Sequence, residues 1–173
     1  MMAPRKSQTG RGAAAMLAAL ASLLVLAGVA LGLPPFTTAP KSSAGSGGQA
    51  QLFGVATGCH STFDRFVIRA RFATPGYDVR YVRRVIADGS GNTVQLRGTK
   101  RIRVVVRNAR GHTSGGMSLL PPVRTPLCPN LRQIKTAGDF EGIVSIGLGL
   151  SRKTGFRVFR LTGPTRIVVD VAH

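Results

Sequence analysis

Few residues in this chain could carry out acid–base or nucleophilic chemistry. The sequence has 173 residues with only six Asp and Glu, and two of these, Asp139 and Glu141, stand one residue apart in the segment "GDFEG". Paired carboxylates are the residue types of a glycosidase site. Residues i and i+2 of one strand, however, share a face at roughly 7 Å without any chemistry. The pair alone therefore does not predict a catalytic site.

The cysteines and histidines form no recognisable catalytic set either. Cys59 stands beside His60, which in principle would allow a thiol activated by an imidazole. His112 lies in a segment rich in Gly and Ser, and His173 is the last residue of the sequence. Two Cys and scattered His offer too few ligands for a metal centre. We therefore expect a protein that is not an enzyme, with no metal and no cofactor.

The N-terminus predicts export. Arg5, Lys6 and Arg11 precede an uncharged run of Ala, Leu and Val at 13–33, which is typical of a signal peptide or of an uncleaved membrane anchor. Residues 1–33 are assigned to this signal or anchor helix. In either case the remainder lies outside the cytoplasm, secreted or held at the outer face of the cytoplasmic membrane.

Residues 34–50 are rich in Pro, Thr, Ser and Gly, which predicts a flexible linker.

An exported chain with two cysteines favours a disulfide between Cys59 and Cys128. A bridge that closes so long a loop would stabilise the fold by about 4 kcal/mol through loop-closure entropy. The alternative is two buried thiols.

Alternating apolar residues after the linker predict β-strands. The period of two is clear in "DRFVIRARF", "KRIRVVVRNA", "GIVSIGLGL", "FRVFRL" and "TRIVVDV", and "NLRQIKTAG" could add a short strand. Asp88-Gly89 and Ser90-Gly91 predict a turn between two strands, and residues 108–130 read as a long loop. Residues 51–173 are therefore expected to form an all-β domain, a small β-sandwich or an open barrel.

The charge of the chain predicts an anionic partner. The net charge is +18, and removal of the three basic residues before residue 34 leaves +15. The alternative is a solvated surface whose arginines reflect genomic base composition. Nucleic acid fits the charge but not the compartment, and aromatic residues are only 6%. The candidate ligand-binding residues form three basic groups, most of them at alternate strand positions: Arg69 and Arg71; Arg80, Arg83 and Arg84; and Arg101, Arg103 and Arg107.

The order of several motifs resembles the AMIN-like domain of exported actinobacterial proteins. These are "CHSTFDRFVIRARF", "PGYDVRYV", "DGSGNTVQLRG", "GDFEGIVSIGLGL" and "FRVFRLTGPTRIVVDVAH", and together they cover about residues 55–173. The related AMIN domain is a non-catalytic β-sandwich of cell-wall amidases and secretin-type pore proteins. The resemblance implies an envelope module that binds peptidoglycan or an anionic wall polymer. The alternative is a membrane-anchored module that binds an envelope protein.

The resemblance also implies structural roles for a set of motif residues: His60, Asp64, Arg65, Asp139, Phe140, Glu141, Arg166 and Asp170. Phe140 is expected to fill the sandwich. Asp139 and Glu141 are expected to pair with arginines or to accept backbone N–H bonds. Arg166 and Asp170 are expected to share one face of a strand in a structural role.

Overall fold

The structure is a computed structural model and describes residues 32–173. The predicted signal or anchor helix falls almost wholly on residues 1–31, which lie outside the described part. Residues 32–173 include no helix with the length and apolarity needed to cross a bilayer. They form eleven β-strands in two sheets, so the prediction of an all-β sandwich is confirmed.

The strands follow each other along the chain with short connections, apart from two longer segments at 83–99 and 111–122. In chain order they are β1 (Lys41–Ser43), β2 (Ala50–Cys59), β3 (Phe63–Arg71), β4 (Gly76–Val82), β5 (Lys100–Arg107), β6 (Ala109–Arg110), β7 (Val123–Arg124), β8 (Leu131–Phe140), β9 (Ile143–Leu150), β10 (Phe156–Leu161) and β11 (Thr165–Ala172).

The strands divide into a six-stranded and a five-stranded sheet. The six-stranded sheet has the order β1-β4-β5-β9-β8-β7, and the five-stranded sheet has the order β10-β11-β3-β2-β6. All pairings are antiparallel except that of β2 with β6. Strand β3 illustrates why these sequences form strands: Phe66, Ile68 and Ala70 point inward and are fully buried, while Arg69 and Arg71 point to solvent. The apolar faces of both sheets meet in one core.

The segment predicted as a flexible linker is ordered and takes part in the sandwich. Strand β1 pairs with β4 at the edge of the six-stranded sheet. Thr37 forms a β-bridge with Phe156 in the edge strand β10 of the other sheet, and the Nζ of Lys41 lies 4.1 Å from the centre of the Phe156 ring. The linker was predicted because the segment is rich in Pro, Thr, Ser and Gly. The segment is instead held by backbone hydrogen bonds, which any sequence can make, and by Phe36, whose ring lies 6.1 Å from that of Phe63.

The turn predicted at 88–91 belongs to a longer segment, residues 83–99, which we call the cover segment. Val85 pairs with Val94 through a backbone hydrogen bond, and the segment lies over the outer face of the six-stranded sheet. The side chains of Val85 and Leu96 pack there against Ala137. A Cβ added to Gly147 would lie 2.8 Å from Leu96 Cδ1. The glycine spacing of "SIGLGL" is thus explained by the close approach of the cover segment.

The segment "GDFEG" forms the end of β8 and the tight turn into β9. Glu141 and Gly142 both have left-handed backbone angles, with φ of 48° and 77°. The expectation that Phe140 fills the sandwich is wrong, because its side chain is 70% exposed. A bulge between Thr136 and Gly138 shifts the alternation of β8 by one residue. Asp139 therefore faces inward and Phe140 faces solvent, the reverse of an uninterrupted strand.

The disulfide between Cys59 and Cys128 is confirmed, with an S–S distance of 1.98 Å. It joins the end of β2 to the long segment before β8. The predicted loop at 108–130 contains two short strands, β6 and β7, and its last part is held by this bridge.

Candidate functional site

The positive charge of the described residues far exceeds what their own carboxylates neutralise. Residues 32–173 hold all six acidic residues and 21 of the 24 Lys and Arg, since Arg5, Lys6 and Arg11 precede them. Only four of these cations pair with a carboxylate, and the other 17 have no ion-pair partner among the described residues. The four paired cations are Arg65, Arg80, Arg103 and Arg157.

Asp170 is a buried structural residue of the outer face of the five-stranded sheet. Its carboxylate is fully buried and accepts hydrogen bonds from Arg65 Nε at 2.6 Å, Arg65 Nη2 at 2.9 Å and Arg157 Nε at 2.8 Å. The hydrogen bond to Asp170, and to a smaller extent the attraction between the two charges, raise the pKa of Arg65. Arg166 shares the strand face but does not contact Asp170, and its guanidinium donates to the backbone oxygens of Pro164 and Thr162.

Asp64 fastens the chain next to the disulfide. Its Oδ2 accepts backbone N–H bonds from Asn130 at 2.6 Å and from Leu131 at 2.7 Å, and its Oδ1 lies 3.3 Å from His173 Nε2. Among the described residues the two disulfide sulfurs and Asp64 form a cluster within 4.8 Å. Both sulfurs are consumed by the disulfide, so the cluster has no thiolate to offer a metal.

Asp139 and Glu141 are separated by the shape of the turn. Asp139 Oδ1 and Oδ2 accept the backbone N–H of Gly111 at 3.1 and 3.0 Å, and Oδ2 lies 2.8 Å from Nδ1 of His112. Glu141 is exposed in the turn and has no hydrogen bond or ion pair among the described residues. The two carboxylates therefore do not face a common site. Asp139 attaches the segment after β6 to the β8–β9 hairpin.

The arginines predicted as ligand-binding residues lie on different surfaces. Arg69 and Arg71 belong to the outer face of the five-stranded sheet, where both lie over the ring of Phe53. The outer face of the six-stranded sheet carries Arg80, Arg101, Arg103 and Arg107. Arg83 and Arg84 follow β4 and are exposed.

Two of these arginines have fixed acidic partners. Arg80 donates to both oxygens of Asp78, and Arg103 donates to Asp88 at 3.2 Å. The hydrogen bond from Arg80 lowers the pKa of the Asp78 carboxyl below its ordinary value. This part of the sheet is therefore nearly neutral.

Four cations without ion-pair partners converge at the end of the six-stranded sheet where β4 ends and β5 begins. They surround an open cleft of about 410 Å³, which we call the basic cleft. Its lining residues are Tyr81, Val82, Arg83, Thr99, Lys100, Arg101 and Lys153. Like charges at such proximity repel each other, and a bound anion relieves that repulsion. The cleft thus has the chemistry of an anion-binding site.

The basic cleft is built on fixed elements. The hydroxyl of Tyr81 donates to the backbone oxygen of Thr154 at 2.8 Å and accepts from the Thr154 N–H at 3.1 Å, and burial raises its pKa. The Tyr81 ring meets Phe156 edge-on at 5.6 Å, and Lys153 Nζ lies 5.5 Å above it. Thr99 Oγ1 donates to the backbone oxygen of Ser151 at 2.6 Å. The end of the cover segment and the connection between β9 and β10 are therefore held together with β4 around the cleft.

Arg83 and Arg101 were predicted from the sequence, and the structure brings them together in this cleft. The lysines were missed, because the prediction considered only arginines at alternate strand positions. Lys100 stands one residue outside that pattern, at the start of β5, and Lys153 lies in the connection between β9 and β10. No local pattern predicts that this connection lies beside β4. The basic residue Lys153 in the segment "RKTG" is the sequence signal that could have identified this connection as part of a cationic site.

The AMIN-like domain family model matches residues 50–173. No curated protein and no solved structure is a significant match to the chain. The matched region comprises β2 to β11, with the disulfide, the bulged β8–β9 hairpin and the basic cleft. The chain belongs to the AMIN-like domain family.

Proposed function

We propose that this protein is a non-catalytic, extracytoplasmic module of the cell envelope that binds the cell wall, through peptidoglycan or an anionic polymer attached to it. The observation that carries the proposal is the excess of unpaired cations, four of which converge on the basic cleft. A multiply charged polymer can contact several cations at once, which a single small anion cannot.

Membership of the AMIN-like family supports a cell-wall-associated role. The Cys59–Cys128 disulfide is compatible with an oxidising compartment outside the cytoplasm. In that compartment the polyanions available to a basic protein are polymers of the wall and lipid headgroups.

The use of the carboxylates supports a binding role rather than catalysis. Asp139 is engaged by Gly111 and His112, and Asp170 lies between two arginines. Asp64 is buried against backbone N–H groups. These carboxylates hold the fold together, and none of the three is paired with a second carboxylate across a cleft, as general acid–base hydrolysis of a glycan requires.

A second candidate function is the binding of an envelope protein, and exposed apolar residues favour it. Phe72 is 76% exposed and has a left-handed φ of 74°, and Phe140 and Ile143 lie side by side in solvent. Exposed aromatic residues are typical of protein interfaces. This function would use the end of the sandwich opposite the basic cleft.

Sedimentation with purified cell walls tests the proposal. The protein is compared on walls that retain their anionic polymers and on walls from which those polymers have been removed. We expect the triple variant Arg83→Gln, Arg101→Gln, Lys153→Gln to bind intact walls at least about tenfold more weakly. Arg69→Gln, on the other sheet, is the control for the loss of one exposed cation. Equal binding by the triple variant and the native protein would refute the role of the basic cleft.

A further inference from the structure

The outer face of the six-stranded sheet has a second cleft, at the end opposite the basic cleft. We propose that the ligand is an extended polyanion that runs along β4 and contacts both clefts at once. This inference rests on the proposed function and adds to it the length of the ligand, its path and its second contact.

The second cleft, which we call the glycine cleft, has a volume of about 470 Å³. Gly76 and Arg107 are paired across β4 and β5 and form its base, and Ser42 and Gly45 form the opposite wall. Gly76 allows the backbone of this wall to approach closely, since a Cβ at this position would lie 3.1 Å from Gly45 N and 3.2 Å from Ser43 O. The volume falls within the range of small-ligand sites.

Side chains from other parts of the chain hold the walls of the glycine cleft in place. Asn108 has a left-handed φ of 53°, and its Nδ2 donates to the backbone oxygen of Gly48 at 2.9 Å. From the other sheet, Arg160 donates to Ser43 Oγ at 2.9 Å and to the backbone oxygens of Ala44 at 2.7 Å and Pro75 at 2.9 Å. The cleft is thus fixed before any ligand arrives, which lowers the entropic cost of binding.

Arg107 supplies the charge of the glycine cleft. It is exposed at the end of β5 and makes no hydrogen bond or ion pair with any described residue. Its charge contributes to the lowered pKa of Asp78, after the hydrogen bond from Arg80. Since its guanidinium donates no hydrogen bond within the described residues, it can bind a carboxylate or a phosphate with two parallel hydrogen bonds.

The strand register gives the distance between the two clefts. Gly76 is paired with Arg107 in the glycine cleft, and Val82 is paired with Arg101 in the basic cleft. Six residue steps along β4 separate these pairs, which corresponds to about 20 Å at the rise of an antiparallel strand.

The sheet between the clefts is close to neutral. There Arg80 pairs with Asp78, and Arg103 pairs with Asp88. The unpaired cations therefore lie at the two ends of the path and not in its middle. A ligand that uses both must carry anionic groups at least about 20 Å apart, as a repeating polymer does and a single sugar or a single phosphate does not.

Two contacts on one polymer have a measurable consequence. Once the first end is bound, the second contact forms within the same complex, so its effective concentration is high. A chain shorter than the path gains nothing from the second cleft, and it binds where the cations are most numerous, in the basic cleft.

Inorganic polyphosphate of two defined lengths tests the inference by titration calorimetry of the whole protein. One length is shorter than the path between the clefts, and the other is longer. We expect Arg107→Gln to weaken binding of the long chain at least about tenfold and to change binding of the short chain by less than about twofold. Arg69→Gln, which removes the same charge from the opposite sheet, should have no such dependence on length.

Two results would overturn the inference. One is a loss on Arg107→Gln that is the same for both lengths, and the other is a loss on Arg69→Gln equal to that on Arg107→Gln for the long chain. If neither length binds to the native protein at low salt, both this inference and the assignment of the basic cleft as an anion-binding site fail. Because Arg107 has no hydrogen bond to lose, its replacement should leave the thermal midpoint unchanged, so weak binding by this variant is separable from unfolding.

Discussion

At the scale of single residues, five of the six carboxylates of this basic protein have partners within the fold, and Glu141 is the exception. Asp170 is the clearest example, since it is fully buried and accepts three hydrogen bonds from two arginines. The sequence indicated that Asp170 is structural but associated it with Arg166. Its actual partners, Arg65 and Arg157, lie on the neighbouring strands β3 and β10, a pairing that depends on sheet order and cannot be read from spacing along the chain.

Replacement of Asp170 by Asn should destabilise the protein strongly. The change leaves Arg65 and Arg157 partly buried without their counter-charge, which costs about 3–5 kcal/mol of unfolding free energy. Urea denaturation followed by circular dichroism measures the loss. Asp88→Asn is the matched control, because the Asp88–Arg103 pair is partly exposed, whereas Asp170 is fully buried, and this pair should contribute less than about 1 kcal/mol. Similar losses in the two variants would contradict this account of Asp170.

Asp139 and Glu141 should differ in the same measurement. Asp139→Asn weakens the hydrogen bonds to Gly111 and His112 and should cost about 1–2 kcal/mol. Glu141→Gln should change stability by less than about 0.5 kcal/mol, because an exposed residue without partners contributes little. Binding to cell walls, corrected for the folded fraction, should be unchanged in both. Loss of wall binding by a fully folded Asp139→Asn variant would identify this carboxylate as a ligand contact instead.

At the scale of elements, the glycines of β9 and the cover segment determine where the basic cleft forms. Arg83 and Thr99 are the two ends of the cover segment, and both line the cleft. The segment can approach the sheet only because Gly147 and Gly149 have no side chains. The docking of this segment therefore connects the packing of the sheet with the geometry of the binding site.

Gly147→Ala should disturb both packing and binding. The new Cβ would lie 2.8 Å from Leu96 Cδ1, so the cover segment must move, at a cost of about 1–3 kcal/mol. Hydrogen exchange should become faster for amides of residues 85–97, and affinity for cell walls should fall. Gly89→Ala is the control, since its Cβ would meet no atom within 4 Å. Unchanged exchange in the Gly147 variant would mean that the glycine spacing is incidental.

The disulfide should contribute substantially to stability. The bonded cysteines are 69 residues apart in the sequence. Closure of a loop of that length lowers the conformational entropy of the unfolded chain, which stabilises the folded state by about 4 kcal/mol. The double variant Cys59→Ser, Cys128→Ser should therefore show a much lower urea midpoint than the oxidised protein. A native protein whose midpoint is the same with and without a reducing agent would refute this expectation.

The sequence predicts the positions of the strands better than it predicts which side chains they bury and which strands they pair with. Strict alternation placed β3, β5, β10 and β11, because side chains on half-buried strands repeat every two residues. The same rule failed at Phe140, since the bulge before Gly138 reverses the alternation and has no sequence signal of its own. It also missed β1, whose pairing with β4 depends on backbone groups alone.

At the scale of the whole molecule, the central feature is a rigid, disulfide-linked sandwich with far more positive charge than it can neutralise. The charges lie on both outer faces, but they converge where β4 ends, beside Tyr81. Attraction to a polyanion is screened over a Debye length of about 8 Å at physiological ionic strength. Contacts inside an uncharged groove, by contrast, are nearly insensitive to salt.

The affinity of the protein for intact cell walls, measured as a function of salt concentration, tests this account most directly. We expect the affinity to fall steeply as salt is raised, because each cation–anion contact is weakened by screening. The triple variant Arg83→Gln, Arg101→Gln, Lys153→Gln should bind more weakly at low salt and depend less on salt than the native protein. Binding that persists in molar salt and is equal in the two proteins would contradict the account and indicate a site of another kind.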